Sequence, residues 1–90
     1  MIRSLNPATG QVEAEFAPLS AAAAMAKLDQ AETAYQSWRR TSLARRRRLL
    51  LTLAQLLRQE RDRFASLITR EMGKLIGEAR AEIEKCAWLC

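Results

Sequence analysis

The run Leu49-Leu50-Leu51-Thr52-Leu53-Ala54-Gln55-Leu56-Leu57 constrains this chain more than any other stretch. At about 100° per residue, Leu49, Leu50, Leu53, Leu56 and Leu57 share one broad stripe, and Leu51 points to the opposite side. The spacing predicts a helix over residues 42–60, with Thr41 or Ser42 as its N-cap. A helix with so wide an apolar face, and one more leucine behind it, is built to be covered as a layer inside a larger body. It does not span a bilayer: the run is about half the roughly 20 residues needed, and arginines edge it. Arg46 falls on the stripe near Leu50 and Leu53, where a charge must snorkel or be paired, so a structural salt bridge to a carboxylate is expected.

The segments on either side carry their own periodicities. Asn6-Pro7-Ala8-Thr9-Gly10 reads as a turn, because Pro7 fixes its own φ and Gly10 accepts a positive one. After it Val12, Ala14 and Phe16 alternate with Gln11, Glu13 and Glu15, which predicts a half-buried strand. With the extended Arg3-Ser4-Leu5 this makes a β-hairpin over about 3–17, a unit that needs something to lie on. Ser20 is an N-cap for a helix over 20–39 whose stripe holds Ala21, Ala24, Leu28, Ala31, Tyr35 and Trp38. Tyr35 and Trp38 are expected as core anchors rather than a base-stacking platform. Polar residues 58–63 bend the chain into a helix over 61–73, marked by Phe64, Leu67, Ile68 and Met72 and ended by Gly73. A last helix over 75–90 aligns Ile76, Ala79, Ile83, Cys86 and Cys90. It still runs at Cys90, with no cap or polar tail, as an interrupted sequence would. The fold class is therefore mostly α: a hairpin followed by four amphipathic helices.

Ninety residues allow one small domain, and such a body buries only about 60–65% of its extended surface. No segment resembles a signal peptide, and two cysteines near the end form no disulfide framework, so the cytoplasm is the expected compartment. The formal net charge is +5, and the excess is local: Arg39, Arg40, Arg45, Arg46, Arg47 and Arg48 have no acid among them. Such a block can meet phosphate or acidic lipid. No aromatic residues interleave it and no DNA-binding motif surrounds it, so nucleic acid is not the expected partner and a solvated helix start is the preferred reading. A positive block also opposes the macrodipole at a helix N-terminus, a conflict that an acidic partner in this chain or a neighbour would ease.

No reactive constellation is complete. Cys86 and Cys90 share a helix face, but no histidine exists to activate a thiol or complete a zinc site, and they read as small buried hydrophobes. Glu71-Met72-Gly73-Lys74 has Gly-Lys without the rest of a phosphate loop, and no Gly-x-Gly-x-x-Gly occurs. Glu71, Glu78, Glu82 and Glu84 fall on solvated faces rather than forming an acid–base pair. Catalytic, cofactor-binding and metal-binding residues are accordingly expected to be none.

Several pieces, taken in order, resemble the opening of the aldehyde dehydrogenase superfamily. They are Asn6-Pro7-Ala8-Thr9-Gly10 before an alternating strand; Ala34-Tyr35-Gln36-Ser37-Trp38-Arg39 followed by Arg46 and Leu49-Leu50; and Glu71-Met72-Gly73-Lys74 followed by Glu78-Ala79-Arg80-Ala81-Glu82-Ile83. The ending Lys85-Cys86-Ala87-Trp88-Leu89-Cys90 looks most like the branch that oxidises succinate semialdehyde. The chain departs from the family in having Leu75 where proline is usual, Gly77 where a helix former is common and Arg45 where an acid is common. These departures fit a decayed or truncated copy.

The resemblance implies the leading part of an α/β, Rossmann-like cofactor domain: a partial N-terminal domain over 1–90 with NAD or NADP as cofactor. In the family a cysteine thiolate attacks the aldehyde, hydride passes to nicotinamide and water releases the acid. The nucleophile, the glutamate base and the residues gripping the cofactor lie beyond Cys90, so the chain alone is expected to be an inactive scaffold. Its expected partner is the remainder of the fold or a homo-oligomer, with exposed apolar stripes and a tendency to associate. The alternative is a self-sufficient basic helical bundle binding nucleic acid or an acidic partner through residues 39–48.

Overall fold

The structure, a computed structural model, describes residues 1–90. Two strands, β1 (Ile2–Leu5) and β2 (Val12–Phe16), precede four helices: α1 (Ala21–Trp38), α2 (Leu43–Gln59), α3 (Arg61–Met72) and α4 (Ile76–Leu89). The mostly α reading, with an N-terminal hairpin and four helices, is what the chain adopts.

The strands pair antiparallel, Ile2 with Phe16, Arg3 with Glu15, Ser4 with Ala14 and Leu5 with Val12. Glu13 is the extra residue at the irregularity between Ser4 and Leu5. The turn closes as the residue types require: Asn6 Oδ1 accepts from the Ala8 N–H at 3.0 Å, and the Gly10 N–H donates to the Asn6 carbonyl at 2.7 Å. Gly10 takes a φ of 71°, which L side chains avoid. The hairpin lies on α3, where Arg70 reaches Glu13 at 3.6 Å and Pro7 packs beside Gly73. The strand is less buried than its alternation predicts. Only Ala14 becomes half-buried, while Val12 and Phe16 stay exposed because nothing covers that side of the hairpin.

The helix ends follow local chemistry. The Ser20 hydroxyl accepts from the Ala23 N–H at 3.1 Å and the Ser42 hydroxyl from the Arg45 N–H at 3.2 Å. Glu60 separates α2 from α3 with a non-helical φ, and Gly73 ends α3 at φ 70° with its N–H on the Thr69 carbonyl.

The core is a seam of alanines. Ala54 of α2, Ala65 of α3 and Ala79, Ile83 and Ala87 of α4 are the only buried residues. Small side chains let three helix backbones approach closely, and α4 packs on both α2 and α3. Ion pairs edge the seam, with Glu84 of α4 between Arg58 and Arg61 at 3.5 and 3.4 Å, and Asp62 taking the Arg80 guanidinium at 2.9 Å. No extended packing joins α1 to any other element. The body measures 46 × 37 × 14 Å, with a radius of gyration of 17.3 Å. A compact chain of this length would have a radius of about 12 Å, and 14 Å is little more than one helix with its side chains. The four helices therefore form an open plate and do not close into the bundle of the alternative reading.

Candidate functional site: an open apolar face beside a basic elbow

The most developed functional surface is the uncovered side of α2. Leu49, Leu53 and Leu56 lie within about 60° of one another on the helix, and they are 47%, 43% and 48% exposed. Ala54, the residue α2 buries, is turned about 130° away from that row. Only one edge of the leucine stripe, at the half-buried Leu57, faces the seam. The stripe is thus not the packed face of this body. Hydropathy marked the side with most apolar surface, whereas the contact formed where small residues allow close approach.

At the N-terminal end of α2 the chain turns through an elbow made with α1. Arg46 holds it. Its Nη2 donates to the Trp38 carbonyl at 3.0 Å, and its guanidinium lies 5.2 Å from the centroid of the Trp38 ring. The expected salt bridge to a carboxylate is absent, since no acid reaches Arg46 and its Nε is buried without a partner. An aromatic face and a helix-end carbonyl take that place, because the last turn of α1 is the nearest source of negative potential. Trp38 and Tyr35 are not core anchors here. They are 45% and 52% exposed, and each carries an arginine over its ring, Arg39 in the case of Tyr35. The other members of the block, Arg40, Arg45, Arg47 and Arg48, are exposed and join no ion pair.

The remaining candidates do not assemble a reaction centre. Cys86 is exposed and only Cys90 is half-buried, which corrects the expectation that both are buried. The reason is register: α4 presents Ala79, Ile83 and Ala87 to the seam, and Cys86 falls one residue off that row. No group of three or more His, Cys, Asp or Glu side chains is placed to hold a metal ion. An open groove on α4 is lined by Lys74, Glu78, Ala81, Glu82 and Lys85. Lys74 is engaged by Glu82, whose hydrogen bond raises the lysine pKa. With Lys74 taken up by Glu82 and Glu78 beside it, only Lys85 in this groove is left to meet the phosphates of a dinucleotide. No helix is long and apolar enough to cross a membrane.

With the geometry in place, the relatives explain its openness. The family model described as the aldehyde dehydrogenase family matches residues 1–90. A Synechocystis protein named probable succinate-semialdehyde dehydrogenase (NADP+) is 45% identical over 99% of this chain, a stretch that makes up 20% of its own length. A malonate-semialdehyde dehydrogenase of Listeria monocytogenes is 41% identical over 90% of the chain and 17% of itself. The crystal structure of succinic semialdehyde dehydrogenase from Streptococcus pyogenes, in complex with NADP+, superposes with a TM-score of 0.87 at 32% identity. That match covers 94% of this chain and 19% of that one. The chain spans about a fifth of the length of these relatives, and its hairpin and four helices match the N-terminal part of the dehydrogenase domain. The chain belongs to the aldehyde dehydrogenase family.

Proposed function

We propose that these ninety residues are the N-terminal scaffold of an NADP+-dependent dehydrogenase that oxidises succinate semialdehyde to the carboxylic acid. The observation that carries the reading is the match of an open helical plate, leucine row outward, to a fifth of a solved succinic semialdehyde dehydrogenase. In this reading the rest of the dehydrogenase fold covers Leu49, Leu53 and Leu56 together with the stripe of α1. It also supplies the thiolate, the base and the dinucleotide site. The preference for NADP+ over NAD+ rests on the names of the relatives in Synechocystis and Streptococcus pyogenes. The choice of succinate over malonate semialdehyde rests on the higher identity of the Synechocystis protein. The part played by this chain is to shape and brace, and no step of the reaction is assigned to its side chains.

A graft tests this. The Synechocystis dehydrogenase is expressed with its matching segment replaced by residues 1–90, and NADPH formation from succinate semialdehyde is followed. The expected result is a soluble chimera that retains aldehyde-dependent NADPH formation. A chimera that is soluble and folded but inert would overturn the scaffold assignment.

A further inference from the structure

Arg46 stands in the middle of the apolar stripe of α2, within about 40° of Leu50, Leu53 and Leu57. A guanidinium carries five N–H groups. In this chain one of them has an acceptor, through the Nη2 bond to the Trp38 carbonyl at 3.0 Å, while Nε is buried with none. The Trp38 indole lies against the group, its centroid 5.2 Å away. With Nε covered by the chain's own atoms, a further partner can arrive only at the Nη1–Nη2 end. We propose that the part of the dehydrogenase fold that covers the stripe brings a carboxylate to that end of Arg46, so that one ion pair inside an apolar contact sets how the scaffold is seated.

Two observations favour a carboxylate over a neutral acceptor. Covering the stripe takes water from the guanidinium, and a buried charge without an opposite one is far costlier than a paired one. No acid of this chain pairs with Arg46. The charge around it is also of one sign. Arg45, Arg47 and Arg48 flank it, the first turn of α2 holds no acid, and the positive end of the helix dipole adds to them. A backbone carbonyl would satisfy the free donors and leave that potential uncompensated. A carboxylate does both, in the two-pronged geometry a guanidinium favours. A leucine row alone tolerates sliding, whereas a single buried polar pair fixes where two surfaces meet. The acid lies outside these ninety residues, so the proposal rests on the scaffold reading.

The graft described above provides the test. The parent chimera and its Arg46→Gln and Arg46→Lys variants are held at one elevated temperature over a pH series, and surviving NADPH formation is read at a single neutral pH. Glutamine keeps an N–H donor and drops the charge, whereas lysine keeps the charge. At neutral pH Arg46→Gln is expected to lose activity about tenfold faster than the parent, because an acid is left covered without its counter-charge. That ratio falls toward one as the pH is lowered, since the stranded carboxylate takes up a proton more readily than the paired one. Arg46→Lys loses activity at most about threefold faster, with no such fall. Trp38, which Arg46 touches, does not titrate, and Arg45 and Arg47 beside it stay charged throughout, so a falling ratio reports an acid from beyond this chain.

A ratio that stays constant with pH means uncharged acceptors and overturns the proposal, as does an Arg46→Gln chimera as durable as the parent. If Arg46→Gln gives no soluble enzyme, Arg46→Lys decides: a soluble, durable lysine variant shows that the site needs charge, and one that fails alike overturns the proposal. A parent chimera that is folded but inert removes the scaffold reading and this proposal with it, whereas an active parent with a constant ratio removes this proposal alone.

Discussion

Arg46 of α2 closes the end of α1 through Trp38, donating to its carbonyl at 3.0 Å while its guanidinium lies over the indole at 5.2 Å. One side chain thereby gives the Trp38 carbonyl a second donor beside the Thr41 N–H, which reaches it at 2.9 Å, and braces the elbow. The contact is half-buried rather than deep, so its worth is moderate. Arg46→Ala is expected to destabilise the chain by about 1–2 kcal/mol. Arg46→Lys keeps the charge but loses the planar fork, and recovers less than half of that. Urea melts of Arg46→Ala, Trp38→Ala and the double variant check this. A coupling energy near zero would mean the two side chains are merely neighbours.

The alanine seam makes a prediction opposite to hydropathy. Ala65 and Ala79 have no exposed surface, whereas Leu53 is 43% exposed. In the isolated chain, Ala79→Leu is expected to cost about 1–3 kcal/mol by forcing α4 away from its neighbours. Ile83→Ala should cost about 2–4 kcal/mol through the cavity it leaves. Leu53→Ala should cost less than Ile83→Ala, about 1 kcal/mol, because more than two-fifths of that residue stays in water after folding. Thermal melts of the three variants rank them. If Leu53→Ala is the worst of the set, the leucine row is packed in solution and the plate is not open.

The elements were legible because their signals are local. Ser20, Ser42 and Gly73 act where side-chain chemistry says they must, and Gly10 takes the positive φ its turn demands. The packing was not legible, because stripes report where apolar surface lies, not which part of it this chain can cover. Trp38, Tyr35 and the leucine row have the pattern of core residues but stay exposed in a chain that spans about a fifth of its relatives' length. Arg46 was placed correctly on the stripe, but its partner was not. A carbonyl at the end of another helix leaves no mark in a sequence, whereas a carboxylate would. The expected burial of Cys86 failed by one residue of register, which a stripe of about 120° cannot resolve.

Asp62 and Arg80 tie α3 to α4, and the Arg80 hydrogen bond, followed by its charge, holds the Asp62 carboxyl below the usual carboxylate range. A carboxylate with a depressed folded pKa binds fewer protons folded than unfolded. Its contribution is full above the ordinary aspartate value of about 4 and is lost as pH falls through the depressed one. Both groups are well exposed, so the contribution is small and salt-sensitive. The stability gap between the parent chain and Asp62→Asn is expected to be constant near neutral pH and to close under more acidic conditions. Denaturant melts over that range check it, and a gap that widens on acidification would contradict the assignment.

The three glycines separate strain from space. Gly73 has φ 70°, and an added Cβ would stand 3.0 Å from Pro7 Cγ, in the contact that seats the hairpin turn against the end of α3. Gly10 has φ 71° but open space around it, and Gly77 lies in α4 with an ordinary φ and nothing near. Substituting alanine at Gly10 is therefore expected to cost about 1 kcal/mol, the conformational term alone. Gly73→Ala should cost more than that, because relieving the clash moves Pro7 and loosens the hairpin as well. Gly77→Ala should be neutral or stabilising by up to about 1 kcal/mol, since alanine favours a helix that glycine weakens. Melting curves order the three. Amide exchange in β1 and β2 adds a second reading, because only Gly73→Ala should accelerate exchange throughout both strands, while Gly10→Ala should act at the turn. Equal costs at Gly10 and Gly73, with the strands unaffected, would show that Pro7 yields freely and that the hairpin is held by Arg70 and Glu13 instead.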